Sequence, residues 1–311
     1  MPPWLAPALG VALTIGLGAL AWSGTALPRW LTPRERHTIA GTENAAAAAE
    51  TIWTAAAGEI ARARGVAPAD ALLGSEMTPL VTTLGEIESK RVSASPAWAR
   101  VLVGELNRAG IGAGDVVGAS FSGSFPALNL AVASACQALD VRLVAVSSVT
   151  ASSWGATDAG YTWPEMEVRL VRGGLLKPVS AAISAGGQGD RALDLDEDGR
   201  RTARAIAERC ASQLGARFLE PTDFDEAIRL RLEVYDTACR RRSMAAFINV
   251  GGTEASLGLS PAILRVRNGW LERTPFDSSP TRGLVARMVE RGVPVLHLLN
   301  VRDLAARWGI L

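Results

Sequence analysis

The chain predicts an α/β protein: a mostly parallel Rossmann-like sheet with flanking helices, preceded by one N-terminal transmembrane helix. Three observations carry this. Short β-branched runs alternate with longer Ala- and Leu-rich segments. The apolar runs end in Gly, Ser and Thr. Met1 to Pro28 carries no charged side chain.

The central unit is Asp115 to Leu130. Val116 and Val117 read as a short buried strand. A loop of Gly118, Ser120, Ser122, Gly123 and Ser124 follows, and Ala127 to Leu139 reads as a helix with Pro126 in its first turn. Val141 to Val146 is the next strand, which makes a right-handed parallel βαβ unit. Pro96 to Ala109, Glu165 to Val171, Arg200 to Leu214, Asp223 to Arg240, Thr281 to Arg291 and Val301 to Trp308 read as helices. Ala246 to Val250 and Val293 to Leu299 read as further strands. Ile263 to Arg267 and Trp270 to Glu272 flank Asn268-Gly269, a hairpin signal.

Trp4 to Ala26 is long enough to span a bilayer, and Trp4, Trp22 and Trp30 sit where interfacial aromatics belong. The alternative is a cleaved signal peptide with Gly24 and Ala26 before the cut, but no basic segment precedes the run. A retained, single-pass cell-membrane anchor is expected. Arg29, Arg34 and Arg36 after it favour a cytoplasmic bulk. The expected organisation is an anchor over residues 1–28, a helical stalk over 29–66 and an α/β domain over 67–311. The domain is either undivided or split into lobes at 67–190 and 191–311. Within the stalk, Asn44 to Ala49 reads as solvated helix.

The 311 residues are 48% hydrophobic, enough for an ample core, and a net charge of +1 gives no pointer to nucleic acid. Cys136, Cys210 and Cys239 are far apart and odd in number, so neither a disulfide framework nor a zinc cluster is implied. No metal or cofactor is expected. Among 32 basic residues only Lys90 and Lys177 are lysine. Each is worth a question, because an amine of lowered pKa can act as a neutral base and a guanidinium cannot.

Lys90 lies in a hydroxyl-rich stretch, Met77 to Ser95, that includes Thr82 and Thr83. Such a stretch suits a phosphate or carboxylate site, or else is an ordinary polar loop. The Ser/Gly loop after Val117 would aim backbone N–H groups and a helix dipole at an anion, unless Ser124 merely caps the helix. Ser147, Ser148, Ser152, Ser153 and Asp158 follow the second strand, on the same edge of a parallel sheet. Gly251, Gly252 and Thr253 form a third such loop. Expected ligand-binding residues are therefore Thr82, Thr83, Gly118, Gly123, Ser124, Ser148, Ser152, Ser153, Asp158, Gly251 and Gly252. Trp154, Tyr161 and Trp163 would wall a pocket there or cover the sheet edge.

A catalytic alternative exists. Gly118-Ala-Ser-Phe-Ser approximates a nucleophile elbow with Ser120 central, although Ser122 replaces the second Gly. Ser120, Asp158 and His297 stand in a permissible order, and Lys90 offers another base for Ser120 or Ser122. His297 on an apolar strand also reads as a hydrogen-bonded core residue, with Asn300 a nearby partner. Asp194, Asp196, Asp198 and Gly199 mimic a calcium loop, but its twelfth position is Ala205, so a turn and an acidic helix start are expected instead.

Thr78-Pro-Leu-Val-Thr-Thr-Leu-Gly, the Gly118 to Asn129 stretch, Ser147-Ser through Ala156, Thr162-Trp-Pro-Glu-Met-Glu and Asn249-Val-Gly-Gly together resemble the bacterial poly-gamma-glutamate system protein family. The resemblance runs from about Gly58 to the C-terminus, with the single N-terminal membrane segment. It implies capsule-type poly-γ-glutamate synthesis, export or processing. Its implied partners are the polymer or a glutamyl precursor, other subunits of that machinery, and the membrane. It implies no catalytic residue. Nothing resembles a P-loop, so the ATP-driven ligase is not expected. Three readings follow: a component with a carboxylate or phosphate site at the strand ends, a hydrolase or transferase of γ-glutamyl bonds, and a non-catalytic scaffold.

Overall fold

The computed structural model describes residues 33–239, 243–260, 264–271 and 283–311. The expected anchor Trp4 to Ala26, Arg240, Ile263, Glu272 and Thr281 lie outside the described residues. Among the described residues no helix is long and apolar enough to cross a membrane.

The core is a seven-stranded sheet. Its strands, in chain order, are β2 (Val116–Phe121), β3 (Arg142–Ser148), β5 (Ser180–Ser184), β6 (Arg217–Leu219), β7 (Ala246–Val250), β8 (Gly269–Leu271) and β9 (Val295–Leu298). Their order across the sheet is β6-β5-β3-β2-β7-β9-β8. All neighbours are parallel except β8, which runs antiparallel to β9. A separate two-stranded ladder pairs β1 (Val81–Thr83) with β4 (Ala151–Ser152) in parallel.

The chain enters mid-sheet at β2, steps outward to β6, then returns to place β7 on the other side of β2. The reversal opens a crevice at the carboxyl ends of β2 and β7, where open α/β sheets bind ligands. One sheet thus draws strands from both sides of residue 190.

Helices cover both faces. Helices α1 (Pro33–Arg64), α3 (Ala97–Arg108), α4 (Pro126–Ala138), α5 (Trp163–Arg172) and α10 (Val301–Arg307) bury one face, around Val117, Ala119, Phe121, Ile248 and Leu296. Helix α6 (Glu197–Leu214) packs with α5 and β5. Helices α7 (Phe224–Cys239), α8 (Glu254–Leu257) and α9 (Leu284–Glu290) cover the other face, around Val144, Val146, Phe247 and Val295. Helix α2 (Ile87–Ser93) touches α10. Double coverage explains why these strands read as unbroken apolar runs.

Three expectations are corrected. First, α1 is not a solvated stalk where the Ala run lies. Ala46, Ala49, Trp53, Ala56 and Ile60 are buried against α3 and α4, because alanine lets helices approach closely. Trp53 also donates its indole N–H to the Ala127 carbonyl, at 3.0 Å. Trp53→Ala is therefore expected to cost about 3–5 kcal/mol in urea unfolding, where a stalk residue would cost under about 0.5. Second, β2 does not end at Val117 but runs to Phe121, so Gly118 and Ser120 are strand residues. A Cβ on Gly118 would meet the end of Met244 at 2.6 Å, so Met244 packs directly over this stretch of the strand. Third, Asn268-Gly269 does not turn a hairpin. Leu264 to Arg267 is not a strand, and β8 pairs instead with β9. The Asn268 side-chain oxygen accepts the Leu299 and Asn300 N–H groups.

Asp196 caps α6 through the Gly199 N–H, as the acidic turn suggested. Asn300 caps α10.

Candidate functional site

The Ser/Gly loop after β2 lies at the crevice, but its polar groups are spent internally. Ser122 Oγ accepts the Ser124 N–H, and Ser124 Oγ accepts the Ser152 N–H. Asn129 donates to the Ser122 carbonyl, and the Ser122 N–H bonds Val250. A Cβ on Gly123 would sit 2.8 Å from the Thr150 and Val149 carbonyls. Gly251, at φ +81°, backs onto Ser122. The loop is thus a packed joint between β2, β4 and β7. The open anion cradle expected there is filled by the 149–156 segment. Because backbone carbonyls cannot yield as a side chain end can, Gly123→Ala is expected to destabilise by about 1–3 kcal/mol, measurable by denaturant titration.

The second expected loop divides. Asp158 is not at the crevice: it pairs with Arg64 at 2.8 Å and fixes the last turn of α1. Tyr161 bonds the Ala63 carbonyl. Trp163 is wholly buried edge-on to Phe121, so Tyr161 and Trp163 pack against the helix and sheet they join. Ser148 is buried in the cluster described below. Thr82 Oγ1 donates to the Ala151 carbonyl, Thr83 accepts the Ser153 N–H, and Gly252 lies exposed beside Leu257 and Leu299.

What converges is Lys90 with Ser152. The β1–β4 ladder sets Thr83 opposite Ser152, and α2, just after β1, turns Lys90 inward. Lys90 Nζ lies 2.7 Å from Ser152 Oγ and 2.6 Å from the Ser124 carbonyl, over the Phe125 ring at 3.9 Å. It is 2% exposed and makes no ion pair among the described residues. The hydroxyl of Ser153, the residue after Ser152, is buried without a partner among the described residues. Burial with no compensating carboxylate pulls the Lys90 ammonium from 10.5 down to about 7. As an ammonium Lys90 donates to both oxygens; as a free amine its lone pair can accept the Ser152 hydroxyl proton.

The same shift has a stability consequence. Between pH 7 and 10.5 the unfolded chain holds a proton on Lys90 that the folded chain does not. Stability should therefore rise with pH through this window, by up to about 1.4 kcal/mol per unit. The cost of the buried charge is fully present below pH 7. Urea titrations from pH 7 to 9 should show this slope, and Lys90→Met should remove it.

Neither Ser120 nor His297 belongs to a triad. Ser120 is wholly buried in β2, with its hydroxyl 2.6 Å from Ser256 Oγ. His297 is level with it two strands away, across Asn249. Asn249 Nδ2 donates to the Gly251 carbonyl and to His297 Nδ1, at 3.0 Å. The accepting Nδ1 is thus occupied, and burial lowers His297 to about 4, so the ring is a weak base whose lone pair faces Asn249 and not Ser120. The partner is Asn249; Asn300 is the α10 cap instead.

A buried cluster on the other face was not anticipated as a unit, and its Arg231 and Asp190 were not singled out. Arg231 of α7 is wholly buried and grips Asp190 with Nε at 2.7 Å and Nη2 at 2.8 Å. Nη2 also reaches Ser184 at 2.8 Å and Ser148 at 3.0 Å. Nη1 lies 3.5 Å from Ser120. Asp190 stands at φ +60°, held there by these partners. The available signal was a serine near the carboxyl end of each of β2, β3 and β5, namely Ser120, Ser148 and Ser184.

A cleft of about 440 Å³ between α1, α5 and α6 lies away from these groups, and its Glu165 already pairs with Arg209. The chain matches no family model, no curated protein and no solved structure.

Proposed function

We propose that the chain is an amide hydrolase or transferase of the poly-γ-glutamate system, membrane-anchored by its N-terminal segment, with Ser152 as nucleophile and Lys90 as its base. The observation that carries the chemistry is the 2.7 Å contact between a buried, uncompensated lysine amine and a serine hydroxyl. Serine–lysine pairs activate a hydroxyl in this way. The resemblance described above supports the process and the γ-glutamyl substrate.

The steps balance. Neutral Lys90 takes the Ser152 proton as Oγ bonds to the amide carbon, and the carbonyl electron pair moves onto oxygen. That pair returns as the C–N bond breaks, and the Lys90 ammonium gives its proton to the leaving amine. Ser152 now carries an ester. Water or an acceptor amine attacks the ester carbon while Lys90 takes its proton; the ester C–O bond then breaks and the Lys90 ammonium returns that proton to Ser152 Oγ. Ser124, through its carbonyl, holds the amine in place.

The test is release of a chromophoric amine from a γ-glutamyl anilide, and of short products from γ-linked glutamate oligomers, by the purified full chain. Release that Ser152→Ala abolishes is expected. No release, or release unchanged in that variant, would contradict the proposal.

A further inference from the structure

The Ser152 hydroxyl is covered by backbone. A Cβ on Gly85 would sit 2.8 Å from the Ser153 carbonyl and 3.1 Å from Ser152 Oγ. The segment Leu84 to Glu86 thus crosses directly over the hydroxyl and leaves Ser152 9% exposed. Leu84, in this segment, is 83% exposed. The segment joins β1, which is paired on one side only, to the helix that carries Lys90. Its attachment nearby is light: Ser153 donates to the Thr83 carbonyl at 2.9 Å, and the Lys90 N–H reaches the Glu86 carbonyl at 3.4 Å.

We infer that Leu84 to Glu86 is a gate that must lift for a substrate carbonyl to reach Ser152, and that Gly85 is the residue that lets it close. No side chain fits between this backbone and Ser152, so any other residue at 85 holds the gate ajar. Few contacts break on lifting, and short, weakly paired segments open locally without global unfolding. The gate deepens the Ser152–Lys90 reading and rests on it for its purpose.

Its test does not need catalysis. Ser152→Cys, in the full chain with Cys239→Ser to remove the half-buried thiol, is treated with a bulky maleimide. Slow labelling is expected with Gly85 in place, and labelling faster by about tenfold or more with Gly85→Ala. Equal rates, or labelling of the Gly85 protein as fast as in denaturant, would overturn the gate. If Gly85→Ala does not fold, the Gly85 protein decides alone. Labelling through the gate is insensitive to low urea, whereas labelling that climbs with urea as global unfolding does would overturn it. A gate that opens over a serine taking no acyl group would fail the proposed function and leave this inference standing.

Discussion

Ser152→Ala and Lys90→Met are each expected to lower kcat for γ-glutamyl amide cleavage by about 10³-fold or more, and the double variant to be little worse than either. Members of one catalytic unit fail together, since neither an unactivated hydroxyl nor a base without a nucleophile carries the reaction. Lys90→Arg should fail as fully. Its guanidinium keeps the charge and cannot give up a proton near neutrality, and it does not fit where an amine sits 2.6 and 2.7 Å from two oxygens. The pH profile gives a second reading of the same claim. The working base is the neutral amine, so kcat/KM should rise through about pH 7 and then level. Ser120→Ala and Ser122→Ala should leave the rate nearly unchanged, because their hydroxyls serve Ser256 and the Ser124 N–H.

A large stability effect is expected at Arg231. Arg231→Met should cost about 3–5 kcal/mol in urea unfolding, because it leaves the Asp190 carboxylate buried and unpaired. Three serine hydroxyls also lose their donor. Asp190→Asn should cost a similar amount from the opposite side. Arg231→Met with Asp190→Leu should recover part of the loss, since an apolar pair of similar volume strands no charge. If Arg231→Met unfolds like the parent, the cluster is not what ties α7 to the carboxyl ends of β2, β3 and β5.

The parallel sheet was legible where the strands are β-branched or aromatic. Val141 to Val146, Ala246 to Val250 and Val293 to Leu299 correspond to β3, β7 and β9. It was illegible where burial on both faces selects small residues. Gly118-Ala-Ser-Phe reads as a loop by composition, yet it is buried strand and completes β2. The Ala run of α1 misled in the same way, because an alanine facing water and one facing a helix look identical in sequence. Lys90 stood out because lysine is rare in this chain, and its shielded amine follows from the turn of α2. Its partner did not, since Ser152 meets it only through the β1–β4 ladder, which joins residues about seventy apart. Arg231 was hidden among many arginines, with Leu230 and Leu232 on either side.

The most direct measurement is site-resolved labelling of the full chain by a fluorophosphonate, read by peptide mass spectrometry across the pH range around 7. One adduct is expected, on Ser152, that grows as pH rises through about 7 and is lost in Lys90→Met while His297→Ala retains it. An adduct on Ser120 or Ser122, or a Ser152 adduct indifferent to Lys90, would contradict the proposed Ser152–Lys90 pair.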